Sequence, residues 1–187
     1  MASSALERSS ARQQQIVDVA GAILEAEGPD SLTMRRLASE LGIKAPSLYK
    51  HFPDKSAVEI ALIERGFRLW GERARQALTE RGDRLTNLAV AYRSIAREHP
   101  HLYRIMTMGE LDRSRIAPGL EEWSGAPIGE LFADGETARA FWAFLHGMCI
   151  LEIDHRFPPD ANLERAWANG LAVFRAQSTP PLTTASS

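Results

Sequence analysis

The chain is poor in cysteine, poor in lysine and without a long apolar run. Cys149 stands alone among 187 residues, so no internal disulfide can form and a reducing cytoplasm is the expected setting. The longest nearly apolar run, residues 141–151, includes His146 and is too short to cross a bilayer, which takes about 20 residues as a helix. The opening MASSALERSSARQQQ has none of the apolar core of a signal peptide. No strand-like alternation and no internal repeat is visible. The chemistry-bearing motifs are missing too: no G-x-S-x-G elbow, no Gly-rich phosphate loop, no H-E-x-x-H and no cysteine pair. His99 and His101 flank Pro100 and cannot face one way on a regular helix, and Asp154-His155 is the other histidine cluster. These absences argue against catalysis, a metal, a cofactor or a membrane partner.

What is present is ordinary globular composition, 44% apolar and 25% charged, with a net charge of −2. The cations are unevenly placed. All three lysines, Lys44, Lys50 and Lys55, fall within one stretch, LTMRRLASELGIKAPSLYKHFPDK. From Thr33 to Lys55, five cations (those lysines, Arg35 and Arg36) face two anions, Glu40 and Asp54, a local net of +3. A positive face on an acidic chain suits phosphate attraction.

The same stretch reads as two short helices and the start of a third. Thr33 can cap the first, and Met34, Leu37, Ala38 and Leu41 give it an apolar stripe. Gly42 suits a left-handed helix end. Pro46 fits the first turn of a second helix, on which Leu48 and Phe52 point inward and Lys44, Ser47, Lys50 and His51 outward. Pro53 ends it, and Asp54 caps the next. An amphipathic helix from Arg12 to Ala26, carrying Ile16, Val19, Ala20, Ile23 and Leu24, precedes them. The expected head core is Ile16, Ala20, Leu37, Leu41, Leu48 and Phe52.

The run T-x-R-x-L-A-x-x-L-G-I-x-x-P-S-L-Y-x-H-F-x-x-K, within residues 13–61, resembles the helix-turn-helix of the TetR family of transcriptional regulators. In the body, Trp142-x-x-x-His146-Gly147, following AYRSIAREHPHLYRIM, resembles the branch of that family named for a Trp-His-Gly signature. A helix of this kind enters the major groove with its N-terminal residues near base edges. Lys44 can then donate to guanine, Ala45 and Pro46 can touch a thymine methyl, and Ser47 and Lys50 complete the exposed face. The resemblance adds Arg35 as a base contact. Thr33, Tyr49, His51 and Lys55 read as phosphate contacts that fix register. Lys44 departs from much of the family, so the resemblance does not carry the operator sequence.

The rest reads as helices: 54–80, Arg84 to Glu98, Pro100 to Met108, Asp134 to His155 and Leu163 to Ala176. Residues 109–129 read as irregular, with one or two short turns, the second near Pro127 to Leu131. Phe141, Trp142, Leu145, Met148 and Cys149 are expected on one apolar face. The fold class is therefore all-α, a three-helix head and a helical body with about nine helices. The expected organisation is a mobile 1–10, a DNA-binding 11–55, a ligand-binding and dimerising 56–177 and a disordered tail 178–187. Trp70, Tyr92, Tyr103, Met106, Trp123, Phe141, Trp142, Leu145 and His146 are the expected lining of an apolar effector pocket. The wide apolar faces of the last two long helices suit pairing across a two-fold axis. The resemblance implies a homodimeric repressor, released from a palindromic double-stranded DNA operator by a small apolar or aromatic effector. A ligand-independent regulator or an activator is the alternative.

Overall fold

The computed structural model describes residues 10–178; the ends read as mobile and disordered lie, apart from Ser10 and Ser178, outside the described residues. Nine α-helices and two 3-10 turns make up the described chain, which holds no strand, only an isolated bridge between Phe132 and Ser178. It packs as two compact units. One runs through Trp70 and resumes at Glu98–Ser124; the other comprises Gly71–Arg97 and the chain from Gly125 onward.

The first unit begins with α1, Ala11–Glu27. Ser10 and Gln13 cap it reciprocally, and Gly28 ends it at φ +81°. A 3-10 turn at Pro29–Ser31 leads to α2, Met34–Glu40, and then α3, Ala45–Tyr49. Gly42, at φ +63°, makes the left-handed turn between α2 and α3. The next helix, α4, spans Lys55–Thr79, and the Asp54 carboxylate accepts from the Ala57 N–H at 2.7 Å. Ile16, Ala20, Leu37, Leu48 and Phe52 are buried as their spacing predicts, while Leu41 is half-buried against the same core.

That core extends past residue 55. Val58 and Leu62 of α4, and Leu102 of α6 (Pro100–Thr107), complete it. The reason is partly polar. The Glu25 carboxylate of α1 accepts from the Leu102 N–H at 2.7 Å and the His101 N–H at 3.3 Å, satisfying two orphan donors of the first turn of α6.

In the second unit, α5 is Arg84–Glu98, α8 is Gly135–Ile153 and α9 is Leu163–Arg175, with Asp134 and Asn162 as side-chain N-caps of the last two. Phe141, at 0% exposure, sits within an aromatic cluster, its ring centroid 5.3 Å from Phe132, 5.2 Å from Phe174 and 6.5 Å from Phe144. Gly170 allows this packing, since an added Cβ would run into the Phe144 ring. Beside it, Arg93 grips Glu152 with two hydrogen bonds, of 2.8 and 3.0 Å, and Glu164 with one of 2.7 Å. Trp167 donates to Glu152 at 3.2 Å and lies under the Arg93 guanidinium. Burial alone would push the Glu152 carboxyl up. The hydrogen bonds from Arg93 and Trp167 and the charges of Arg93 and Arg97 outweigh it and hold that carboxyl below its ordinary range.

Two expectations are corrected. Residues 120–129 form a true helix, α7 (Leu120–Gly129), despite Gly125 and Pro127. Leu120, Ser124, Pro127 and Ile128 are buried at helical spacing, with Leu131 just beyond, so packing overrides poor propensity. Trp142 leaves the buried face of α8: it is 48% exposed, about 100° around the helix from Phe141. Met148 is half-buried.

Replacing Phe141 by Ala should cost roughly 3–5 kcal/mol of stability. Val90→Ala, at a position 61% exposed, should stay within about 0.5 kcal/mol of the parent. Urea unfolding of the two variants measures the contrast.

Candidate nucleic-acid interface

An isolated helix of five residues has no stability of its own in water. What holds α3 is Leu48, at 0% exposure, with Phe52 one turn on at 6%. Burying a Leu side chain contributes about 1.5–3 kcal/mol. With those two anchored, the other positions have no inward direction left. Lys44, Ala45, Pro46, Ser47, Tyr49 and Lys50 are all exposed, and His51 is half-buried. Lys44 is the N-cap residue in extended conformation, and Pro46 occupies the first turn, where its missing N–H costs nothing.

The preceding helix is set by Thr33, whose Oγ1 accepts from the Arg36 N–H at 3.1 Å. Arg35 is exposed. Arg36, next to it, is committed: it bonds Glu27 of α1 at 2.7 Å and Glu40 of α2 at 2.5 Å. Those hydrogen bonds, Glu27 first, raise its already high pKa further. Lys55 is half-buried, donating to the Pro29 carbonyl at 3.2 Å and facing Glu59 at 3.4 Å. Of the five cations in the stretch, Arg35, Lys44 and Lys50 therefore have no carboxylate partner among the described residues. The sequence shows Arg36 and Glu40 at i, i+4, but nothing in it shows that Glu27 closes the clamp.

The expected effector residues divide. Phe141 and Leu145 are fully buried core. Tyr92, Trp142 and His146 come together in the second unit: Trp142 Nε1 donates to Tyr92 Oη at 3.2 Å, and the Trp142 and His146 rings stack with centroids 6.2 Å apart. Burial lowers the pKa of His146. Trp70 and Tyr103, both buried, and Met106 and Trp123, both half-buried, belong to the first unit. Among the described residues, no group of three His, Cys, Asp or Glu could hold a metal ion, and no helix is long and apolar enough to cross a membrane.

Residues 16–62 match the family of bacterial regulatory proteins, tetR family, and residues 85–174 match a tetracyclin repressor-like C-terminal domain. A relative in Mycobacterium tuberculosis, the uncharacterized HTH-type transcriptional regulator Rv0681, is 34% identical over 156 residues, 75% of this chain and 70% of its own length. The chain belongs to the TetR family. It is thus a DNA-binding transcriptional regulator with a helix-turn-helix, of a family of regulators and not of enzymes. Two solved structures share the fold. The multidrug binding protein EbrR complexed with imidazole superposes with a TM-score of 0.64 at 24% identity, over 94% of this chain and 99% of that one. A TetR variant from Acinetobacter baumannii AYE in complex with minocycline gives 0.60 at 24% identity, over 89% and 98%. At these identities the likeness speaks for the fold alone.

Proposed function

We propose that this regulator is a homodimeric repressor that reads its operator with α3 and leaves it when a small apolar or aromatic effector binds the body. The observation that carries the DNA reading is the exposed face of α3 beside unpaired Arg35, Lys44 and Lys50. In this reading Arg35, Lys44, Ala45, Pro46 and Ser47 meet base edges, and Thr33, Tyr49, Lys50, His51 and Lys55 meet phosphates. The head at 11–55 binds DNA, and 56–177 binds effector and pairs with a second copy. Lys44→Ala should relax discrimination at one base position by roughly 1–3 kcal/mol while other positions keep theirs. Fluorescence anisotropy with a panel of single-base operator variants reads this, and uniform weakening across the panel rules out base reading by Lys44.

The effector reading rests on Tyr92, Trp142 and His146 standing together within the second unit, where Phe141 and Leu145 are further candidates, and on the compounds named with the two structural relatives. The Trp142-x-x-x-His146-Gly147 motif on α8 favours the Trp-His-Gly branch. Effector and operator must weaken one another by the same factor. Tryptophan quenching by a series of aromatic compounds, with and without operator duplex, should show that shift; equal affinity in both arms refutes the coupling.

Pairing is supported by apolar side chains left outward on α8 and α9: Trp142 at 48%, Leu151 at 41% and Val173 at 62% exposure. Gly147 lies on the same helix as the first two, and a Cβ added there would meet nothing within 4 Å in the single chain. Gly147→Arg should leave the subunit folded and separate the copies. Light scattering after size exclusion should find the parent at twice the chain mass and the variant at one chain mass, and a variant still at twice the mass speaks against this interface.

A further inference from the structure

We propose that Arg115, on the connection between α6 and α7, makes an additional phosphate contact on duplex DNA, flanking the one made by the head; the inference rests on the DNA interface proposed above. The connection leaves α6 and lies along α4. The Ala117 N–H donates to Glu64 at 2.8 Å, and Arg115 Nη1 donates to the Ser56 hydroxyl at 2.6 Å. Ser56 is the residue after Lys55, so a cation distant in sequence is delivered to the start of α4. It is held there. Asp112 caps the 3-10 turn Arg113–Arg115, accepting from the Ser114 N–H at 3.1 Å and its hydroxyl at 2.6 Å.

The two arginines of this turn differ in their partners. Arg113 is spent on Glu121, with hydrogen bonds of 2.9 to 3.2 Å. Arg115 is exposed, bonds a neutral hydroxyl and has no carboxylate partner among the described residues. Its remaining N–H groups are free for an anion, and a guanidinium can bind phosphate through two parallel bonds. The local charge needs it. A phosphate approaching Lys55 also meets Asp54 and Glu59, a net of −1 over those three residues. Arg115 cancels that excess at the point where backbone contacts are expected.

The test is the salt dependence of operator binding by the full chain, measured by anisotropy for the parent and for Arg115→Gln, Arg115→Lys and Arg113→Gln. Each phosphate contact adds about 0.9 to the slope of log affinity against log salt. Arg115→Gln should reduce the slope by about 1 for each head on the duplex, whereas Arg115→Lys and Arg113→Gln should keep it. An unchanged slope in Arg115→Gln overturns the proposal while leaving the head contacts standing. So does an equal loss in Arg115→Lys, which would mark a packing role. A parent that binds no duplex brings down both this inference and the DNA reading beneath it.

Discussion

The structure turns on the burial of Leu48. The helix that carries it is too short to persist alone, and its neighbours in sequence are cations, a proline and small polar residues. One fully buried leucine, with Phe52 a turn later, fixes both the position of α3 and which way its remaining side chains point. The core receiving Leu48 is larger than three helices. Val58, Leu62 and Leu102 close it, and Glu25 ties α6 to α1 through two backbone N–H groups. The exposed face of α3 is thus held from behind by apolar packing and by capping that reaches across nearly eighty residues of chain.

Charge is sorted by partner more than by number. Arg36 is clamped between carboxylates of α1 and α2, and Lys55 is partly engaged by a carbonyl and Glu59. Such pairs set the geometry of the head and add little free energy where water screens them. Within the stretch from Thr33 to Lys55, the cations without a carboxylate partner among the described residues are those at the two ends of α3 and at the start of α2, where a polyanion can supply what the chain withholds. The second unit uses the opposite arrangement: Arg93 is enclosed by Glu152, Glu164 and the Trp167 ring, which joins three helices through one guanidinium. Removing Arg93 would leave the mostly buried Glu152 carboxylate with only the exposed Arg97 at 3.7 Å and the Trp167 N–H, a costlier change than losing a surface pair.

Helix existence was legible because apolar residues recur every three to four positions and the caps are conventional. Residues 84–98 match the expected helix end to end, and Asp134 and Asp54 cap as their types suggest. The helix at 120–129 was not legible. Gly125 and Pro127 lower its propensity, and only the buried surface around Ser124 and Ile128 reveals why it forms. Trp142 was misplaced because hydrophobicity marks a residue as fit for burial without saying which side of the helix faces the core.

Local order and the side-chain chemistry of α3 were set by the sequence itself: the Thr33 and Asp54 caps, the turn at Gly42, the Leu48–Phe52 anchor and the clustering of all three lysines are written within one short stretch of chain. Interactions at that range depend on spacing alone. The tertiary structure decided what depends on distant partners: which arginines are neutralised, that Arg115 reaches Ser56, that Glu25 caps α6, and which body aromatics are core. Those outcomes follow from chain segments meeting in space, and periodicity along a sequence carries no record of such meetings.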